Sequence, residues 1–202
     1  SPNGRWLLVT EQQGWAKSEM YLCDLTQPAC QFVTIVEGVD AHFTGDMHND
    51  RLYIHTNLEA PRYQVFAADP TEPSREHWKK LIPERETVLQ NVTVIGGRLF
   101  AQSLRDASSR LELFNLDGKL EREIELPTLG TVSELGGEWD GDEAFFGFTS
   151  FATPSAIYHV DLMKLPESSS SRQSSIHSPA SPLGKEGDAG VSLWEKVTAP
   201  ID

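Results

Sequence analysis

The residues of this chain that could do chemistry are scattered and form no recognised catalytic motif. The nearest approach to the G-x-S-x-G nucleophile elbow is GFTSF at residues 147–151, which lacks the second glycine. His42, His48 and His55 are separated by six and seven positions, without the H-E-x-x-H or C-x-x-C spacing of a zinc site. We therefore predict no catalytic residue, no metal-binding residue and no cofactor within these residues.

Two further motifs have simple structural interpretations. Residues 140–143 (DGDE) are similar to the start of a calcium-binding loop but lack the later ligand positions, so we interpret them as a hairpin turn. Asn91-Val92-Thr93 is a formal glycosylation sequon, but it falls on a predicted strand close to the centre of the fold. Neither motif predicts a functional site.

Composition limits the classes of protein to consider. The chain has 202 residues, 39% of them hydrophobic, which is enough for one domain with a sizeable core. Its formal charge of −13 argues against binding to nucleic acid or to anionic membranes. No run approaches the roughly 18 apolar residues of a membrane span. The chain begins at Ser1 without a methionine or a signal peptide, so we expect the true N-terminus to precede it.

The two cysteines allow two interpretations. Cys23 lies in an apolar run and could simply pack as a small hydrophobic side chain. A bridge from Cys23 to Cys30 is the alternative, although two cysteines make neither a disulfide framework nor a metal site.

A short pattern recurs four times at a nearly constant interval. Each copy has a β-rich run, a polar turn, and a second run that ends at Asp24, Asp69, Asn115 or Asp161. These ends are 45, 46 and 46 positions apart. A repeat of about 40–50 residues made of four strands is typical of a β-propeller blade. We therefore predict an all-β fold, a β-propeller.

The repeat predicts about four consecutive four-stranded blades. Blade boundaries are expected near residues 1–37, 38–84, 85–127 and 128–202, with inner strands at 41–47, 88–95 and 131–135 and outer strands at 31–36, 78–82, 121–126 and 192–197. The first blade lacks an inner strand, because the chain enters directly on its second strand. Residues 167–190 are rich in Ser, Pro and Gly, which predicts a flexible insertion within the last blade.

Turn chemistry agrees with this layout. Asn49-Asp50, Gly96-Gly97, Asp117-Gly118 and Asp140-Gly141 are residue pairs that tolerate the positive φ angles of tight turns. A second set of turns, at residues 12–18, 57–63, 105–110 and 150–154, occupies the same place in each repeat. These turns should emerge on one side of a propeller, and they place Trp15, Arg62, Arg105 and Phe151 on a mixed aromatic and cationic rim. The alternative for these side chains is packing between blades.

The amino-acid sequences of these turns resemble those of one protein family. Residues 14–24 (GWAKSEMYLCD) resemble the G-W-x-[KR]-S-[DE]-x-Y-x-x-D stretch of bacterial prolyl oligopeptidases. The stretches HTNLEAPRY at 55–63, DASSRL at 106–111 and FTSF at 148–151 continue the resemblance in order. It runs from residue 1 to about 164 and resumes at 192–202.

The resemblance implies a two-domain serine peptidase that cleaves short peptides after proline, in the cytoplasm or alternatively in the periplasm. In that family a seven-bladed propeller covers an α/β-hydrolase domain that carries the catalytic triad, and this chain would be the C-terminal part of the propeller. The hydrolase domain is absent from these residues. Trp15 matches a position near the N-terminal side of the substrate peptide, so the resemblance implies a substrate-binding role for it.

The sequence therefore leaves two alternative functions open. The first is the substrate-gating propeller portion of a post-proline endopeptidase, inactive on its own, whose partners are the hydrolase domain and short proline-containing peptides. The second is a stand-alone propeller-type module for protein interactions without catalysis. An incomplete ring would expose two apolar blade faces, which predicts self-association for the first function.

Overall fold

A computed structural model describes residues 1–164 and 194–197, and the regular structure in them is almost entirely β-strand. A single turn of 3-10 helix covers Arg75–His77. In chain order the strands are β1 (Trp6–Gln13), β2 (Lys17–Asp24), β3 (Val33–Val36), β4 (Phe43–His48), β5 (Arg51–Thr56), β6 (Gln64–Ala68), β7 (Lys79–Ile82), β8 (Val88–Ile95), β9 (Arg98–Arg105), β10 (Ser108–Phe114), β11 (Leu120–Ile124), β12 (Thr131–Gly136), β13 (Glu143–Thr149), β14 (Ala156–Asp161) and β15 (Trp194–Lys196).

These strands form four antiparallel sheets, each a meander in which consecutive strands pair. The first sheet has three strands, β1-β2-β3, and the others have four: β4 to β7, β8 to β11 and β12 to β15. We call them the first to fourth blades. The predicted all-β propeller is confirmed, and so is the missing inner strand of the first blade, where β1 forms the sheet edge.

The apolar residues of each strand face the neighbouring blades, so the core lies between sheets. In β5, Leu52 and Ile54 pack toward the first blade, in a cluster that includes Met20 and Leu22. Tyr53 points the other way, into a cluster with Leu99 of the third blade. A residue alternation of period two thus gives a central blade two buried faces. The third and fourth blades share a further cluster, centred on Phe100, Leu111, Phe146 and Phe148.

Hydrogen bonds between blades join the ends of neighbouring sheets. On one side the backbone NH of Ser18 donates to Ala41 O at 3.1 Å, and the NH of Ser109 donates to Gly130 O at 2.9 Å. On the other side the NH of Gly96 donates to Glu138 O at 3.0 Å. The first side carries the turns between β1 and β2, β5 and β6, β9 and β10, and β13 and β14. We call this side the hairpin face.

The tight turns follow the predictions with one exception. Asn49-Asp50 and Gly96-Gly97 have positive φ at both residues, and Gly118 has φ of 83°. The prediction for Asp140-Gly141 was wrong, because Gly141 does not adopt positive φ and residues 137–142 form a longer loop between β12 and β13. The turn predicted at residues 105–110 is observed as a tight turn at Asp106-Ala107, with φ of 50° and 60°.

The end of the fourth blade is described in part. The outer strand predicted at 192–197 is observed at Trp194–Lys196, paired with β14. The flexible insertion predicted at 167–190 lies outside the described residues. Within the part of the chain that the structure covers, no helix is long and apolar enough to cross a membrane.

A disulfide bond joins Cys23 to Cys30 and closes the loop between β2 and β3. Cys23 is buried in the sheet, opposite Leu7 of β1. Both interpretations left open by the sequence therefore apply in part, since the residue packs in the core and also bridges.

Candidate functional site

The hairpin face is the candidate site, and the turn between β1 and β2 is its most distinctive part. β1 ends at Gln13, which lies opposite Lys17 of β2, so three residues form the turn. Gly14 has φ of 72°, a left-handed conformation that lets the chain reverse at that point. Trp15 at the tip is fully exposed to solvent. A fully exposed aromatic ring at the tip of a turn is available for contact with another molecule.

The base of this hairpin is tied to the second blade. The Ser18 hydroxyl donates to Phe43 O at 2.8 Å and accepts from the NH of Phe43 at 2.6 Å. From the other strand of the hairpin, Gln12 Nε2 lies 3.5 Å from His42 Nε2. Both strands of the hairpin therefore contact the start of the second blade. These contacts restrain rotation of the hairpin relative to that blade.

A buried carboxylate supports the same hairpin from the opposite side of β2. Glu19 accepts hydrogen bonds from the NH of Gly38 at 3.0 Å and from the Tyr21 hydroxyl at 2.9 Å. The Gly38 bond and the Tyr21 bond lower the pKa of Glu19, so it is ionised at neutral pH. The same contact with Glu19 raises the pKa of Tyr21 to about 12. This network links β2 to the segment that connects the first and second blades.

The other three hairpins present different side chains on this face. Phe151 in the β13–β14 turn is fully exposed, as Trp15 is, and Arg62 in the β5–β6 turn is also exposed. Arg105 is about half exposed and lies 3.6 Å from Asp106 of its own turn. The four side chains make no hydrogen bond, ion pair or ring contact with one another in the described structure. The alternative of packing between blades does not hold for the two aromatic side chains.

A groove of about 770 Å³ runs beside the third hairpin. Arg105, Arg110, Glu123 and Glu125 all line it, and Arg110 Nε lies 3.5 Å from Glu123 Oε1. Leu129, on the connection to the fourth blade, is largely exposed at its edge. The hairpin face therefore combines exposed apolar side chains with charges of both signs, which is the composition of a surface that contacts another molecule.

A smaller cleft of about 340 Å³ lies between the second and third blades. It is lined by Asp46, Tyr53 and His55 among others. The carboxylate of Asp46 accepts from the NH of Val94 at 3.0 Å, which joins the two blades. Across the described residues, no group of three or more His, Cys, Asp and Glu side chains could hold a metal ion.

The sequence patterns did not predict the residues that hold the hairpins in place. Ser18 and Ser109 stand at equivalent positions, each near the start of the third strand of its blade repeat, and both are buried. The only signal was a small polar residue directly after each turn, at a position where the alternation expects an apolar side chain. Trp15, the one predicted substrate-binding residue, was identified from the family resemblance of its turn sequence.

The chain is similar in sequence to known proteins of one family. The chain matches the family model described as prolyl oligopeptidase, N-terminal β-propeller domain, over residues 1–171. It is 32% identical over 159 residues to a prolyl endopeptidase of Elizabethkingia miricola. It is 31% identical over 159 residues to a prolyl endopeptidase of Elizabethkingia meningoseptica. Each alignment covers 78% of this chain and 22% of the relative.

Solved structures share the fold. A chain from a structural and mechanistic study of two prolyl endopeptidases superposes with a TM-score of 0.77 at 36% identity, covering 81% of this chain and 24% of that one. Prolyl oligopeptidase B from Galerina marginata, bound to a 35mer hydrolysis and macrocyclization substrate, superposes with a TM-score of 0.72 at 21% identity. That alignment covers 80% of this chain and 24% of the other.

The chain thus spans about a quarter or less of the length of the relatives it matches. The region matched by the family model contains β1 to β14 and the turn between β1 and β2 that carries Trp15. The chain belongs to the prolyl oligopeptidase family, as part of its N-terminal β-propeller domain.

Proposed function

We propose that this chain is the substrate-gating propeller portion of a serine endopeptidase that cleaves short peptides after proline. Its partner is the α/β-hydrolase domain of the same polypeptide, which carries the catalytic chemistry. The chain supplies one wall of the substrate pocket and limits which peptides reach the active site. In this proposal the isolated chain has no peptidase activity, because the catalytic chemistry belongs to the hydrolase domain.

The exposed Trp15, held on an anchored hairpin, is the single observation that carries this proposal. A flat apolar ring in solvent can stack on a proline or on another apolar residue of a peptide. Its support from Ser18 means that the ring can be presented without reordering the hairpin each time a peptide binds. Trp15 is accordingly the substrate-binding residue of the proposal.

Gating follows from the rigidity of the blades. Neighbouring sheets share buried clusters and backbone hydrogen bonds, which lie at both ends between the third and fourth blades, so they resist separation. A folded protein cannot pass through such a wall, whereas a short peptide can approach the hairpin face from the side. Selection by size therefore needs no chemistry from this chain.

The outward faces of the first and fourth blades favour this function over a stand-alone interaction module. Leu7 and Val9 on the first blade, and Phe145 and Ile157 on the fourth, are exposed on faces that no blade of this chain covers. Such faces suit further blades of a larger propeller. We expect the isolated chain to form oligomers in light scattering, and a monodisperse monomer would support the stand-alone module.

The bond between Cys23 and Cys30 supports the periplasm over the cytoplasm as the compartment. Disulfides persist in oxidising compartments and are rare in the cytosol, where thiols are kept reduced.

The test of the function is incubation of the isolated chain with a chromogenic Gly-Pro peptide. The expected result is no turnover above the buffer control, and no labelling by a serine-reactive fluorophosphonate. Turnover that the fluorophosphonate abolishes would place catalysis within this chain and contradict the proposal.

A further inference from the structure

Ser18 links the hairpin that carries the proposed substrate contact, Trp15, to the second blade. It lies three residues after Trp15, near the beginning of β2, and its side chain is completely buried. We propose that Ser18 is a positioning residue, which holds the Trp15 turn in the orientation needed to contact the peptide. This inference rests on the proposed function and deepens it.

The hydrogen bonds of Ser18 fix three groups at once. Its hydroxyl donates to Phe43 O and accepts from the NH of Phe43, while its own NH donates to Ala41 O. The hydroxyl thus takes the place of a short strand pairing between β2 and β4. Because three bonds converge on one residue, a rotation of the hairpin relative to the second blade would break all three together.

The position of Trp15 depends on this anchor more than on its own contacts. The ring is fully exposed and makes no packing contact that could orient it. The position of its Cα–Cβ bond is set by the backbone of the turn, and hence by the strands on either side. Gln12 on the other strand approaches His42 only at 3.5 Å, so Ser18 is the stronger of the two ties to the second blade.

The third blade provides a matched control. Ser109 stands at the equivalent place in β10, donates from its NH to Gly130 O, and accepts at its hydroxyl from the NH of Val132 at 3.0 Å. The turn that precedes it, at Asp106-Ala107, carries no aromatic side chain. Loss of the Ser109 hydroxyl should therefore weaken an equivalent contact between blades without moving Trp15.

The experiment uses the full polypeptide that joins this propeller to its catalytic domain. Three variants, Trp15→Ala, Ser18→Ala and Ser109→Ala, are assayed on a short Gly-Pro substrate and on an extended peptide with apolar residues before the proline. Trp15→Ala is expected to lower the ratio of kcat/KM for extended over short substrate by about three- to tenfold. Ser18→Ala should lower the same ratio through KM, by no more than Trp15→Ala does, since Ser18 acts only through the position of Trp15.

Ser109→Ala should lower the midpoint of thermal unfolding as Ser18→Ala does, while leaving the substrate ratio unchanged. An equal change of the ratio in both serine variants would overturn the positioning role and leave only a general structural one. An effect of Trp15→Ala without any effect of Ser18→Ala would overturn it too, while the proposed function stands. No effect of Trp15→Ala would remove the substrate contact itself, and the positioning role with it.

A measurement on the unaltered protein is independent of how the variants fold. The NH groups of Ser18 and Phe43 should exchange with deuterium slowly, at rates typical of buried strand residues. Exchange as fast as that of an exposed turn, at either residue in the folded polypeptide, would contradict the anchor.

Discussion

The imidazole of His55 stacks on the ring of Tyr63, with the ring centroids 4.6 Å apart and the planes inclined by 22°. The same imidazole places Nε2 3.1 Å from Leu89 O of the third blade, and Nδ1 3.3 Å from the Thr44 hydroxyl. A neutral ring with hydrogen on Nε2 satisfies both contacts, since it donates to the carbonyl and accepts from the hydroxyl. His55 therefore joins the second and third blades in its neutral form.

This arrangement predicts that acid weakens the protein before its carboxylates titrate. Burial is the main cause that lowers the pKa of His55, to about 4, against about 6.5 in an unfolded chain. Between these values the unfolded chain binds a proton that the folded protein excludes, so stability is lost as the pH falls. The free energy of unfolding should drop by on the order of 2–3 kcal/mol from pH 7 to pH 4. Urea titrations across that range measure it.

The control is His55→Gln, which does not titrate and whose amide can still donate to Leu89 O. It should flatten most of the dependence between pH 4 and 6.5. Burial also lowers the pKa of His48, so a smaller slope of the same sign should remain. A His55→Gln protein with the unaltered slope would show that acid acts elsewhere.

Arg85 and Glu112 form a two-pronged ion pair, with N–O distances of 2.7 and 2.6 Å. The Glu112 side chain is 8% exposed, whereas that of Arg85 is 30% exposed. Arg85→Met should cost about 3 kcal/mol of unfolding free energy, because it leaves a buried carboxylate without its partner. Glu112→Gln should cost less, since Arg85 can turn toward solvent. Equal and small losses in chemical denaturation would mean that the pair behaves as an exposed one.

Two adjacent glycines test the connection between the third and fourth blades. Both have positive φ, but a Cβ at Gly97 would meet open space, whereas one at Gly96 would lie 2.6 Å from Gly141 O and against Leu162. Gly97→Ala should cost about 1 kcal/mol from backbone strain alone. Gly96→Ala should cost about 2 kcal/mol more, since backbone must move. Thermal unfolding of the pair measures the difference, and equal costs would contradict the close approach of the loop at 137–142.

The bond between Cys23 and Cys30 predicts a protein stabilised by oxidation. Closing a loop of this size should contribute about 2.5 kcal/mol through the entropy of the unfolded chain. Reduction should lower the unfolding midpoint, and a Cys30→Ser variant should match the reduced protein and no longer respond to reductant. Free thiols on both cysteines in protein purified without reductant would contradict both the bond and the compartment proposed above.

The fold was largely predictable from the sequence, and the anchors of the site were not. Strand positions followed from the pattern that recurs at intervals of 45 or 46 residues, because each copy forms one blade. Trp15 was identified because the sequence of its turn resembles a stretch that is typical of the family. The Ser18 anchor could not be foreseen, since its partners belong to another blade and only the packed structure brings them together. The repeat located the turn at residues 105–110, but not its positive φ angles at Asp106-Ala107, because alanine rarely adopts positive φ.

The central claim is that the hairpin face, with Trp15 at its edge, lies over the bound peptide. The most direct measurement is photo-crosslinking of a proline-containing peptide, with a benzophenone before the proline, to the full polypeptide whose nucleophile has been inactivated. The account predicts a label on the tryptic peptide of residues 6–17, removed by excess unlabelled peptide and reduced in Trp15→Ala. A competed label on the opposite face, around Asn49-Asp50, with none on residues 6–17, would contradict it.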